Sequence, residues 1–151
     1  MTRDSDRPPR SDVRTLAVTL DGRTGTVSTA RDHARAFLRA TRPPPDPSAV
    51  DDALIAISEL VTNAVRHAPG SCTLRCTLRP DGCGSTLLVE VDDGNPALPQ
   101  PRCPDLDNGG GGFGWHLLRS LARDLAVVAG PDGKTVRAVL PLGRGPLGTC
   151  G

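Results

Sequence analysis

Glu59 and Asn63 are one helical turn apart in Glu59-Leu60-Val61-Thr62-Asn63, so on a helix the carboxylate and the carboxamide share a face. Asparagine suits a helix interior poorly, because its side chain competes for backbone hydrogen bonds. Here it stands in an apolar stretch with Leu60, Val61, Ala64 and Val65. An isolated Glu-x-x-x-Asn would read as a surface pair, but two further features change its meaning. Downstream, an apolar strand ends in Asp92-Asp93-Gly94-Asn95-Pro96, and Gly109-Gly110-Gly111-Gly112-Phe113-Gly114 then opens another helix. A carboxylate, a carboxamide, a strand-end acid and a glycine-rich helix start, in that order, make a nucleotide site that is not a P-loop.

The chemistry follows from the residue types. Mg²⁺ is a hard cation that keeps waters and takes few protein oxygens. Asn63 can ligate it through a neutral carbonyl oxygen, adding no negative charge beside a triphosphate. Glu59, one turn back, is placed to accept a proton from an attacking hydroxyl or water. In-line phosphoryl transfer needs positioning and electrostatics more than covalent help. Backbone N–H groups from Gly112 to Gly114, at a helix start, can meet phosphate oxygens, and glycine lets the backbone approach closely.

Three decoys fail. Gly133-Lys134-Thr135 imitates the end of a Walker A loop, but the first glycine would fall on Val128, and a strand follows instead of a helix. Gly109, Gly111 and Gly114 satisfy G-x-G-x-x-G, but after a Pro-rich loop rather than a strand. The run from Asp105 to Gly109 hints at a calcium loop, but Gly109 and His116 fall on ligand positions.

The surviving elements resemble the GHKL ATPases, the family of gyrase, histidine-kinase and heat-shock-chaperone ATP-binding domains. Glu59 to His67 resembles the N box. Asp92 to Pro96 looks like the first glycine box, D-x-G-x-P. Gly112-Phe113-Gly114 looks like the second, and Gly133-Lys134-Thr135-Val136 like the closing G-x-T element. Spacing and size are similar to the anti-sigma-factor serine/threonine kinases in their stand-alone actinobacterial form, over roughly residues 13 to 142. The resemblance implies that Asp92 accepts from the adenine amino group, that Gly94 leaves room beside the ring, and that Thr135 supports the adenine end. It implies ATP and Mg²⁺ as cofactors, and γ-phosphoryl transfer to a Ser or Thr of a small antagonist protein. It also implies direct binding of a sigma factor. A catalytically idle ATP-binding switch that gates a protein contact is the alternative. Arg66 and His67 stand near the phosphates on the same helix. Trp115 and His116 read as packing or lid residues, and Trp115 replaces the family's usual aliphatic residue.

The elements that must position these residues are legible from periodicity. Val13 to Leu20 alternates as a strand, with Leu16, Val18 and Leu20 on one face. Val27, Ala30, Ala34, Phe37 and Leu38 follow helical spacing from about Thr26 to Ala40, with His33 at the surface. Pro43-Pro44-Pro45-Asp46-Pro47 ends that helix. Ser48 is the expected N-cap of the next helix, which runs to about His67 on a stripe of Val50, Ala53, Leu54, Ile57, Val61 and Ala64. Strands at Cys72 to Arg79 and Thr86 to Asp92 make a hairpin around Asp81-Gly82. Residues 94–111 read as a loop expected to act as a lid ordered by nucleotide. A helix from Gly112 to Leu121 precedes strands at Leu125 to Ala129 and Lys134 to Leu142. The expected architecture is an α/β (α+β) two-layer sandwich, a four- or five-stranded, mostly antiparallel sheet with helices on one face. The resemblance makes this the Bergerat-type ATP-binding fold. Residues 1–12 and 143–151 are expected to be flexible tails around one ATP-binding domain at 13–142.

Composition bounds the rest. One domain fits 151 residues. A net charge of +1 argues against a nucleic-acid surface. No signal-like h-region and no apolar run of membrane-spanning length occurs, so a cytoplasmic protein is expected, off the membrane. The sequence leaves a homodimer open. Five cysteines (72, 76, 83, 103 and 150) are an odd number. Cys72 and Cys76 lie roughly 13 Å apart on a strand, too far for two thiolates on one zinc. They read as small core hydrophobes. A detached histidine-kinase catalytic domain is disfavoured, because one strand and one helix fill most of the 47 residues before Ser48.

Overall fold

The computed structural model describes residues 13–68, 70–81, 84–95 and 113–144. Five strands and three helices follow in the order β1 (Arg14–Leu20), α1 (Thr26–Arg39), α2 (Pro47–His67), β2 (Cys72–Asp81), β3 (Gly84–Asp93), α3 (Phe113–Leu121), β4 (Asp124–Gly130) and β5 (Gly133–Arg144). The strands form one sheet in the order β1-β2-β3-β5-β4. Every pairing is antiparallel, where the sequence had suggested a mostly antiparallel sheet of four or five strands. No helix of the described residues is long and apolar enough to cross a membrane.

Period-two alternation decides which face of the sheet is covered. Leu74, Cys76, Leu87, Val89, Val91, Val136, Ala138 and Leu140 are all buried, and they point toward the helix layer. α2 supplies the opposing stripe: Ala53, Leu54, Ile57, Val61 and Ala64 are buried with Ala56 and Leu60, while Val50 is only partly covered. α1 adds Ala30, Ala34, Phe37 and Leu38 to the same cluster, and α3 adds Leu118. A core of Leu, Val and Ala with one buried Phe is what a chain with 2 % aromatics can build.

Several boundaries differ from expectation. Asp46, not Ser48, caps α2, and Pro47 is its first residue. Proline's fixed φ and missing N–H suit that position, so the helix starts inside the Pro-rich connector. The hairpin strands are longer than expected, because β2 and β3 stay paired out to Asp81 and Gly84. β5 continues through Gly143 and Arg144, which the sequence had assigned to the tail. His33 is exposed, as expected. Of the expected tails (1–12 and 143–151) and the expected lid (Asn95 to Gly111), residues 1–12, 145–151 and 96–111 lie outside the described residues, as do Gly82, Cys83, Cys103 and Cys150.

Candidate functional site

α2 carries the two residues singled out first. Its start is tied to the far end of β5, where the Asp46 N–H donates to the Leu142 carbonyl at 3.4 Å. Its apolar stripe fixes its rotation over β2, β3 and β5. Glu59 and Asn63 flank that stripe, and both are half-buried. Arg66, on the next turn, is exposed.

Glu59 meets the first turn of α3. A Cβ added to Gly114 would collide with Glu59 Oε2. Glycine at 114 is therefore what lets the helix start stand against the carboxylate, and the structure brings these two expected site residues together. Gly112, expected to join them, lies outside the described residues. Asn63 shows a different signature: its Nδ2 is buried and has no hydrogen-bond partner among the described residues. A buried unsatisfied donor is costly and uncommon, and it fits a site whose acceptor arrives with a ligand. Trp115 packs against the core with its Nε1 buried and without a hydrogen-bond partner among the described residues, whereas His116 is exposed.

The end expected to meet adenine is arranged otherwise than the motif suggested. Asp92 and Thr135 are indeed together: they are cross-strand partners on β3 and β5, and the Thr135 hydroxyl donates to Asp92 Oδ1. They lie, however, on the outer face of the sheet, away from the helices. Arg75 donates to Asp92 Oδ2 at 3.4 Å and lies 3.8 Å from Glu90, while Arg137 reaches Glu90 at 3.3 Å. These side chains form a partly exposed charge network across β2, β3 and β5.

The acid on the helix side is the next residue. Asp93 is 7 % exposed and continues the buried series Leu87, Val89, Val91. Lys134 takes the matching place on β5 before Val136 and Ala138, and is 4 % exposed. Lys134 Nζ stands 2.9 Å from Asp93 Oδ2 and donates to Oδ1 and to the Asn95 carbonyl, each at 3.1 Å. The Asn95 N–H donates to Asp93 Oδ1 at 2.8 Å, closing a small turn over Gly94, which is exposed. A Cβ on Gly133 would collide with the Asp93 carbonyl oxygen, so the two strand ends touch only because residue 133 is glycine.

Sequence reasoning missed Asp93 and Lys134. Strand parity would have found both: Val89 and Val91 put Asp93, not Asp92, on the core face, and Val136 and Ala138 do the same for Lys134. The cysteines behave as expected, since Cys72 and Cys76 are free and buried. Burial pushes the Cys76 thiol up to about 12. Burial also raises Cys72, and the negative charge of Asp93 adds to that rise. Among the described residues no cluster of three or more His, Cys, Asp or Glu side chains could hold a metal ion.

Comparison with known proteins gives the same outline. The family model for the histidine kinase-like ATPase domain matches residues 20–140. No curated protein matches the sequence closely. Among solved structures, the crystal structure of the RsbU and RsbW domains of Rv1364c from Mycobacterium tuberculosis superposes with a TM-score of 0.64 at 23 % identity. The match covers 87 % of this chain and 33 % of that one, so the likeness is one of fold, and this chain spans about a third of the length of that structure.

Proposed function

We propose, for a chain that belongs to the histidine kinase-like ATPase domain family, that it is a Mg-ATP-dependent anti-sigma-factor serine/threonine kinase. In this role it transfers the γ-phosphoryl group to a Ser or Thr of a small antagonist protein and sequesters a sigma factor by direct binding. The observation that carries the proposal is the Glu59 carboxylate set against Gly114 at the start of α3, with Asn63 one turn further along α2. A proton acceptor beside a helix N-terminus, where backbone N–H groups can meet phosphate oxygens, is the arrangement that phosphoryl transfer asks for.

The roles divide as follows. Glu59 takes the proton of the attacking hydroxyl. The described residues fit Mg²⁺ in the manner usual for that ion: no dedicated cage exists, and a single neutral oxygen from Asn63 leaves the remaining positions to phosphates and water. The ion, when bound, would neutralise charge on the phosphates. The buried Nδ2 of Asn63, without a partner among the described residues, then has a phosphate oxygen as its natural acceptor. At the other end, Asp93 replaces Asp92 as the acid that accepts from the adenine amino group. Of the two, Asp93 is the one that faces the layer between sheet and helices, and its buried Oδ2, though ion-paired with Lys134, accepts no hydrogen bond among the described residues. Gly94 leaves room beside it, and Thr135 supports the sheet rather than the base.

Two substitutions on α2 test the proposal. Asn63→Ala weakens metal-dependent ATP binding and abolishes transfer together. Glu59→Ala leaves ATP binding nearly intact and cuts transfer by about 10²–10⁴-fold, the usual size of a general-base loss. Binding is followed by calorimetry with Mg²⁺ present, and transfer by radiolabel from ATP on a candidate antagonist. Tight ATP binding by the wild type with no labelling of any candidate overturns the kinase in favour of an idle switch that gates a protein contact.

A further inference from the structure

Proton transfer and phosphate binding leave the charge pair between β3 and β5 unused. Lys134 is the only lysine of the chain, and its side chain and that of Asp93 are each 1 % exposed. Taking two charges out of water costs several kcal/mol per ion, so such a pair is poor evidence for a purely stabilising role. Its hydrogen bonding is also incomplete. Oδ2 lies 2.9 Å from Nζ as the other arm of the ion pair, yet among the described residues it accepts no hydrogen bond. An ammonium has three N–H groups. Among the described residues two are used, on Asp93 Oδ1 and on the Asn95 carbonyl. The pair therefore presents an unspent acceptor and, beside it, an unspent donor.

We propose that Lys134 is a base-reading residue that completes adenine recognition with Asp93. The 6-amino group of adenine donates to Asp93 Oδ2, and the neighbouring ring N1 accepts from Lys134 Nζ. An adjacent donor and acceptor are what the adenine edge offers, in the complementary order. Guanine presents an acceptor at O6 and a donor at N1, and so meets acceptor with acceptor and donor with donor. The Asn95 N–H and carbonyl, held by the same two side chains, keep the carboxylate and the ammonium in register while the base is absent. This inference rests on the ATP-binding reading above.

The test compares wild-type binding of ATP, 1-deaza-ATP (ring N1 replaced by carbon) and purine riboside triphosphate (no 6-amino group), by calorimetry with Mg²⁺. Each analogue is expected to bind about tenfold or more weakly than ATP, the scale of one hydrogen bond to a charged group. Lys134→Met then abolishes discrimination against 1-deaza-ATP but keeps discrimination against the purine analogue. The wild-type series stands without the variant, should that variant fail to fold. The double variant Asp93→Asn/Lys134→Met, which removes both buried charges, is expected to distinguish ATP from 1-deaza-ATP no better than Lys134→Met. ATP and 1-deaza-ATP binding equally tightly to the wild type would make Lys134 a structural clamp and overturn the inference alone. Absence of ATP binding by the wild type overturns the ATP reading, and this inference with it.

Discussion

Asp92 and Asp93 are neighbours in sequence and opposites in environment. Asp92 points to the outer face of the sheet, with its side chain 38 % exposed and Arg75 as ionic partner. Asp93 points to the helix face, with its side chain 1 % exposed and Lys134 as partner. One residue of strand register separates a solvated charge network from a buried ion pair. The physics that follows differs in kind. On the outer face, water and salt screen each interaction, and long side chains lose entropy in making it. On the inner face, charges interact strongly, and any group left unpaired bears the full cost of desolvation.

The largest expected effect is on the inner face. Lys134→Met keeps most of the side-chain volume and removes the charge, leaving the Asp93 carboxylate buried without a counter-ion. Such a loss costs about 3–5 kcal/mol of folding stability. Adding Asp93→Asn removes the orphan charge and should recover most of it, because the pair couples strongly. Urea titration of the two variants and the wild type measures both effects. If Lys134→Met loses less than about 1 kcal/mol, the scale of an exposed pair, the inner pair is solvated and the contrast between the faces collapses.

Much of this was legible in the sequence. The order of elements, the hairpin and the core stripe of α2 follow from periodicity and glycine placement, while the resemblance implied that Glu59 and the glycine-rich helix start serve one site. The acid singled out at the end of β3 was Asp92, whereas the one facing the helices is Asp93, for a definite reason. Motif spacing counts residues along the chain and favoured the first of two adjacent acids, whereas a strand sorts residues by parity. The buried alternation of Leu87, Val89 and Val91 outranks the motif, because turning it over would bury Glu90 and Asp92 and expose three aliphatic side chains. The pairing of Asp93 with Lys134 was not legible in the same way. It depends on β3 lying beside β5, a long-range contact that no local pattern reports.

A smaller effect concerns the contact between Glu59 and α3. Gly114→Ala places a methyl where Glu59 Oε2 now stands. The carboxylate is the far end of a flexible side chain and can swing away, while alanine favours the helix by about 0.5–1 kcal/mol. Stability should change by less than about 1 kcal/mol. Phosphoryl transfer should fall by at least about tenfold, approaching the 10²–10⁴-fold loss of a missing base, with ATP affinity retained. Transfer at the wild-type rate from a folded Gly114→Ala protein would mean that the position of Glu59 does not matter to the reaction.

Adenine binding compares the neighbours directly. Asp93→Asn should weaken ATP binding by about 1–3 kcal/mol, as expected when a hydrogen bond to a charged group is lost. Asp92→Asn should leave ATP affinity unchanged within the error of calorimetry. The reverse result would restore the role to Asp92 and require the end of β3 to turn over when nucleotide binds.

The smallest effect belongs to the outer network. Arg75 is 41 % exposed in its side chain and reaches Glu90 and Asp92 at 3.8 and 3.4 Å, while Arg137 approaches Glu90 from β5. Arg75→Ala removes two long, partly solvated contacts and leaves Glu90 with Arg137, so no carboxylate on this face is stranded in a dry site. Stability should fall by no more than about 1 kcal/mol in low salt. At about 1 M salt, where the screening length is near 3 Å, the difference from wild type should nearly vanish. Urea titrations of Arg75→Ala and Lys134→Met at both ionic strengths separate the faces: the first loss should be screened away, and the second should persist. A loss on Arg75→Ala that salt does not reduce would show that this face, too, is shielded from water, by something seated on the sheet.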